Sequence, residues 1–228
     1  MTKTLHITCV QIMLFIISFT LNTSGQDFRW GERGGSTQSA GDAQVETIYD
    51  MDVDKNGNVY VLSRVYKTDI SVGGHTIQGY GNKDVLLSSF NCQGKFRWMK
   101  LFGNSIGDIG YDVCTDKTDG VYVVFDMMAY NDSGYIDSDS TIAANTTKTL
   151  YLVKYDTSGN LKWTRTPQPD TIPITSSSFT GSIDMGIDEQ GDITWFCQLA
   201  PGEYGGTGGL VVNDTSDYIL KYDRNGNF

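Results

Sequence analysis

The chain repeats itself, and an internal period constrains a fold more tightly than any single motif does. Three segments align without gaps: Asp50 to Ser63 (DMDVDKNGNVYVLS), Asp112 to Phe125 (DVCTDKTDGVYVVF) and Asp184 to Cys197 (DMGIDEQGDITWFC). Asp54, Asp116 and Asp188 share one position, and Val59, Val121 and Ile193 another. Before the shared Asp, apolar Met51 and Val53 alternate with acids. After the turn, Val59 and Val61 fall on one face and Tyr60 and Leu62 on the other, which is the period of a strand. Between them lies Asp, two polar residues and Gly or Asp, the chemistry of a tight bend. Each segment therefore reads as strand, turn, strand.

A second set alternates with the first. Asp84 to Leu101 (DVLLSSFNCQGKFRWMKL) matches Leu150 to Arg165 (LYLVKYDTSGNLKWTR), and Asp217 to Phe228 (DYILKYDRNGNF) matches the opening of both. The turn glycines Gly94, Gly159 and Gly226 are spaced by 65 and 67 residues, and Trp98 and Trp163 each stand four residues past theirs. Phe28, Arg29 and Trp30 repeat Phe96, Arg97 and Trp98. One period thus holds two hairpins of alternating type, the content of a four-stranded propeller blade. Such a sheet is apolar on both faces and must stack against neighbours. The expectation is an all-β β-propeller with about three four-stranded antiparallel blades, in units of approximately 27–101, 102–165 and 166–228. A sandwich or solenoid would use the same strands without accounting for so regular a period. Closed propellers have about four to eight blades, so the ring is expected to be incomplete in this chain. The missing blades would come from the rest of a longer chain, or from other copies.

The pattern Asp-x-x-Gly-Asn-Val-Tyr-Val, followed by Asp-x-x-x-x-x-(Tyr or Phe)-(Asp or Asn)-x-x-Gly-x-(Leu or Phe)-x-Trp, resembles the bacterial seven-bladed β-propeller repeat, or SBBP repeat, family. Asp54 to Val61, Asp84 to Trp98, Leu150 to Trp163 and Asp217 to Asn227 carry the resemblance. It implies a long secreted surface polypeptide of the kind found in Bacteroidetes, and it implies no shared catalytic residues. Departures are Asp119-Gly120 for Gly-Asn in the second unit, Asp192 and Thr194 for Asn and Tyr in the third, and inserts after Asp126 and Leu199.

Residues 1–25 have the parts of a cleavable export signal: Lys3, an apolar stretch from Val10 to Leu21, and small Thr23 and Gly25 before a cut at Gln26. About 12 apolar residues fall short of the roughly 20 that span a bilayer. The expected mature chain is 26–228, secreted or held at the cell surface, without a membrane span. A formal charge of −10 repels phosphate backbones, which argues against nucleic acid. The mature chain keeps one histidine, His75, and three cysteines, Cys92, Cys114 and Cys197, at unrelated spacings. An odd number cannot all pair within one chain. One bridge with a free thiol, or three thiols, is expected.

Candidate chemistry is sparse. Asp52-x-Asp54-x-Asn56-Gly57 copies the start of an EF-hand loop, but position twelve is Ser63 instead of Glu and strands flank it. A hairpin turn accounts for it better. Gly103-Asn104-Ser105-Ile106-Gly107 meets the string G-x-S-x-G without the strand-to-helix setting or a downstream histidine. Trp30, Trp98 and Trp163 would suit stacking on sugars, although a fixed place in the repeat favours packing, and Trp195 reads as core. No catalytic residue, cofactor site or metal site is assigned. The inserts Ala129 to Lys148 and Ala200 to Ser216 are read as long polar loops on a rigid scaffold, where recognition is commonly carried. Tyr130, Tyr135 and Tyr204 are their candidate ligand contacts; solvent-exposed linker accounts for the same residues. The function expected is a non-enzymatic scaffold that binds protein or polysaccharide, or acts as a spacer. The alternative is a propeller enzyme of polysaccharide-lyase or quinoprotein type, since Gly-x-x-x-Trp resembles the blade signature of PQQ-dependent dehydrogenases.

Overall fold

The structure, a computed structural model, describes residues 30–36, 46–66, 69–128, 133–137, 140–142, 148–167, 181–204 and 209–228. The leader expected over residues 1–25 lies outside them. The chain divides into two units, Met1–Gly31 and Glu32–Phe228. Only Trp30 and Gly31 of the first are described, and all the described strands belong to the second.

The described residues are strands and turns without a helix. In chain order the strands are β1 (Gly34–Ser36), β2 (Thr47–Val53), β3 (Val59–Tyr66), β4 (Asp69–Val72), β5 (His75–Gln78), β6 (Lys83–Phe90), β7 (Phe96–Gly103), β8 (Ile109–Thr115), β9 (Gly120–Met128), β10 (Gly134–Ile136), β11 (Ser140–Ile142), β12 (Lys148–Asp156), β13 (Leu161–Arg165), β14 (Gly181–Ile187), β15 (Ile193–Leu199), β16 (Gly202–Tyr204), β17 (Leu210–Val212) and β18 (Ser216–Tyr222). Every pairing is antiparallel.

The repeat is visible in the sheet order. The second sheet is the four-stranded array β13-β12-β9-β8. The first contains the equivalent β7-β6-β3-β2 and is widened to six strands, because β10 lies along β7 with Ile136 opposite Phe102 and β11 follows. The third has β14-β15-β18 among the described residues. Two smaller sheets, β1-β4-β5 and β16-β17, come from segments between the repeated strands. Both inserts read as loops are thus partly hairpins. Burial explains it: Ile136 and Val212 are closed off from solvent, so each short strand contributes an apolar side chain to a neighbouring sheet.

Both faces of the second sheet are buried, as the alternation in β9 requires. Val121, Val123 and Phe125 point into one cluster with Tyr60, Leu62, Val85, Leu87 and Phe102 of the first sheet. Tyr122 and Val124 point into another with Met185, Ile193, Trp195 and Leu220 of the third. The first sheet's other face, through Val65, Leu86 and Leu101, is covered by Ile70 and Val72 of the β4-β5 hairpin. That hairpin turns on Gly73-Gly74, both at positive φ, between the paired Val72 and His75. Two consecutive positive-φ residues define the two-residue turn that matches strand twist.

Candidate functional site

β2, β8 and β14 are edge strands, so alternate N–H groups along each point away from their own sheet and need partners. The neighbouring sheet supplies carboxylates. Asp50 Oδ2 accepts from Val113 N at 3.0 Å, and Asp52 Oδ2 accepts from Thr115 N at 2.7 Å. One period later Asp112 Oδ2 accepts from Met185 N at 2.6 Å. Each sheet therefore clamps the edge of the next with an Asp at the same place in the repeat. A β-bulge precedes that Asp every time, between Ile48 and Asp50, Gly110 and Asp112, and Ser182 and Asp184. An extra residue in a strand re-aims the side chains beyond it, and the first side chain beyond each of these bulges is the repeated Asp, which clamps the next sheet in the first two copies. The third copy, Asp184, is exposed and caps only its own Met185 N at 2.9 Å.

This row is electrostatically unusual. Burial, followed by a hydrogen bond and repulsion from Asp50 and by the charge of Asp184, pushes the Asp112 carboxyl well above the ordinary carboxylate range. Cys114, two residues along β8, donates to Met185 O at 3.2 Å; burial and Asp112 raise its thiol strongly, which makes it a poor nucleophile. Cys92, Cys114 and Cys197 are all unbridged, Cys92 exposed and Cys197 buried.

The turns repeat as faithfully as the strands. Asp54, Asn91, Asp116, Asp156, Asp188 and Asp223 each accept at one side-chain oxygen from the backbone N–H groups two and four residues on, at 2.8–3.0 Å. In five of them the fourth residue is a glycine at positive φ; in the second unit, where Asp119 takes that place, Lys117 adopts φ 59° instead. The EF-hand-like string is consumed by this geometry. Asp52 serves Thr115 and Lys117, and Asp54 serves Asn56, Asn58 and the buried Tyr60 hydroxyl at 2.9 Å. Burial would raise the Asp54 carboxyl, but the hydrogen bonds from Asn58, Tyr60 and the turn amides hold it below its usual value. Asp54→Ala is expected to cost about 2 kcal/mol, because it removes the acceptor of the buried Tyr60 hydroxyl, which keeps only the Arg97 donor, as well as that of the turn amides. Asp188→Ala, an exposed copy without the tyrosine, should cost less, and urea midpoints of the two variants check the order.

On the far side of each sheet the tryptophans make a second repeated contact. Trp98 Nε1 donates to Thr157 O at 3.0 Å, and a Cβ on Gly159 would come within 2.9 Å of its ring. Trp163 Nε1 donates to Arg224 O at 3.4 Å, and a Cβ on Gly226 would come within 3.1 Å of its ring. Each tryptophan lies on the turn glycine of the next unit. Trp195 is fully buried, with its Nε1 donating to Ser182 Oγ at 2.8 Å.

The two described candidate contact tyrosines lie in different sheets. Tyr130 lies outside the described residues. Tyr135 is half-buried in β10 and stacks on Tyr80, with ring centroids 4.4 Å apart. Tyr204 sits in β16 at 3% exposure and donates its hydroxyl to Ala200 O, so it belongs to the core between sheets. It also forms part of the wall of an open cavity of about 410 Å³ with Leu220, Tyr222 and Phe228. Ser105 of the G-x-S-x-G string is exposed in a loop that leads into strand β8, and His75 stacks on Phe96.

Sequence reasoning missed a buried carboxyl pair. Asp84 and Asp108 are both fully buried and lie against Gly103 at the end of β7. The signal was an acid heading the apolar run Val85 to Leu87, where an exposed residue is the default. Among the described residues no group of three or more His, Cys, Asp or Glu is placed to hold a metal ion, and no helix is long and apolar enough to cross a membrane. Compared with models of known protein families and with curated proteins, the chain matches none.

Proposed function

We propose that this chain is a run of bacterial SBBP-type β-propeller repeats, exported by its leader, that acts without catalysis as a binding or structural scaffold for protein or polysaccharide at the cell surface. The observation that carries this reading is the recurrence of two inter-sheet contacts at fixed repeat positions. The Asp clamp recurs on one edge from Asp50 to Val113 and from Asp112 to Met185. The tryptophan on the next turn recurs on the other, from Trp98 to Thr157 and from Trp163 to Arg224. Two successive junctions built from the same pair of contacts are what sheets arranged as blades about an axis would show. Two facing layers would not reuse one contact in series. The surfaces left at the two ends fit the same scheme. Ile48 and Met51 on β2 are 66% and 62% exposed, Ile219 on β18 is 70% exposed, and Asp184 holds no neighbouring strand.

A scaffold role is favoured over catalysis by where the polar chemistry goes. The acids at the repeated positions are engaged in edge clamps and turn caps, and the two inner thiols are held protonated. The test pairs binding with turnover. The purified chain is applied to arrays of glycans and extracellular proteins, and in parallel to dye-reduction and polysaccharide-cleavage assays with quinone and calcium supplied. Saturable binding without turnover is expected. Dye reduction or polysaccharide cleavage would replace this reading with the enzymatic one.

A further inference from the structure

We propose that the corner formed by the start of β6, the end of β7 and the loop into β8 is a binding site for a hard divalent cation, calcium in particular, with Asp84 and Asp108 as its carboxylate ligands. Asp84 opens β6 and is fully buried. Its Oδ2 accepts from Tyr80 N at 2.9 Å and from Gly81 N at 3.3 Å, which fixes the carboxylate's orientation. Its Oδ1 is shut off from solvent and has no hydrogen-bond partner. That bare oxygen is aimed at Gly103, where an added Cβ would lie 2.2 Å from it and 2.8 Å from Asp108 Oδ2. The second carboxylate is held just as firmly. Asp108 Oδ2 accepts from Asn104 N at 3.0 Å, and Asp108 N donates to Lys83 O at 3.0 Å, which ties the loop to β6.

Two buried carboxylates that close are costly unless a positive charge joins them. The ammonium of neighbouring Lys83 lies over the Tyr66 ring, 6.0 Å from its centre. Burial pushes the Asp84 carboxyl up to about 6, and only the amides of Gly81 and Tyr80 oppose it. Among the described residues no lysine, arginine or histidine forms an ion pair with Asp84. The surroundings are rich in oxygen. Asn104 O would lie 2.1 Å from a Cβ on Gly81, the residue that caps Asp84, so a backbone carbonyl enters the same corner. Carboxylate and carbonyl oxygens on a loop of small residues suit calcium, which accepts six to eight oxygens in irregular geometry, better than magnesium, which demands a near-octahedral shell. This corner is distinct from the EF-hand-like string at Asp52 to Asn56, whose carboxylates are engaged by the turn and by Thr115 and Lys117.

The full chain, stripped with EDTA, is titrated with calcium chloride at pH 7.5 while its melting temperature and heat of binding are recorded. One calcium per chain is expected, with a rise of roughly 5–10 °C once calcium reaches a hundredfold its dissociation constant, reversed by EDTA. Magnesium should give a smaller rise. Asp84→Asn should keep the circular dichroism of the wild type and lose the calcium response. Gly103→Ala fills the corner with a methyl group and should weaken the response, whereas exposed Asp214→Asn should retain it. The proposal is overturned by a wild-type chain whose melting temperature ignores calcium, by an Asp84→Asn chain that still responds, or by a response that Asp214→Asn removes. If Asp84→Asn does not fold, the wild-type stoichiometry and the Gly103→Ala titration decide between the same outcomes.

Discussion

Trp98→Ala is expected to be among the most damaging single substitutions in the chain, with a loss of about 3 kcal/mol and a fall in melting temperature of roughly 6–12 °C for a domain of this size. The indole does three things at once. It covers the turn glycine Gly159, donates to Thr157 O at 3.0 Å, and packs between Tyr60 of its own sheet and Tyr155 of the next, at centroid separations of 5.7 and 6.3 Å. Arg97 Nη2 donates to the same Thr157 oxygen at 2.8 Å, so that carbonyl keeps one partner when the indole is removed. Trp98→Phe, which keeps a ring and loses the donor, should therefore retain most of the stability. Trp163→Ala should cost less than Trp98→Ala, because its hydrogen bond is longer at 3.4 Å and fewer aromatic rings surround it.

A partner substitution separates this inter-sheet contact from ordinary core packing. Gly159 sits at φ +85°, and a Cβ there would press on the Trp98 ring at 2.9 Å. Gly159→Ala pays for both the left-handed backbone, about 1 kcal/mol, and the displaced indole. In the Trp98→Ala background the second part disappears. The double variant should accordingly be more stable than the sum of the two single losses predicts, by at least about 0.5 kcal/mol. Additive losses in urea titrations would mean that the tryptophan does not bear on the neighbouring turn.

The strands and turns of the repeat were readable from the residues because their causes are local. Alternation in Val59 to Leu62 marks a two-faced strand, and an Asp followed three residues later by Gly marks a capped bend; both recur where expected. Lys117 shows where local reading stops, since loss of the glycine at Asp119 moves the positive φ two residues back and does not abolish the turn. The short strands β10 and β16 could not be found by periodicity. Three residues carry no period, and Ile136 and Tyr204 are ordered by the sheets they pack on. The clamps were hidden for a related reason. Asp50 looked like one more polar residue alternating with Met51, and its partner amide lies 63 residues away, on an edge that exists only after the sheets have stacked. The glycines around Tyr204 suggest an exposed loop, although the tyrosine itself is buried with the core of the third sheet.

The same carboxylates give the fold an unusual dependence on pH: the melting temperature should peak between about pH 4 and 6 and decline towards pH 8. Asp112, buried against Asp50 and within reach of the charge of Asp184, has its carboxyl raised, as does Asp84, buried near Asp108 and raised to about 6. A carboxyl raised on folding favours the protonated native state. Its stabilisation is full below the unfolded value near 3.8 and is lost as pH climbs through the folded value. The turn carboxylates work the other way. Asp52, Asp54, Asp116 and Asp156 are lowered by their hydrogen bonds against the pull of burial, Asp156 to about 2, so their stabilisation is present above 3.8 and lost as pH falls. The acid arm thus belongs to the turns and the alkaline arm to Asp112 and Asp84. Asp112→Asn divides them, because the amide oxygen still accepts from Met185 N while the ionisation is gone. With EDTA present, so that no cation at Asp84 masks the trend, the variant should match or fall slightly below the wild type at pH 5. At pH 8 it should exceed it by about 1–3 kcal/mol. A wild-type melting temperature that rises steadily from pH 5 to 8 would show that Asp112 is ionised without penalty, and that the edge clamp is a simple carboxylate-to-amide hydrogen bond.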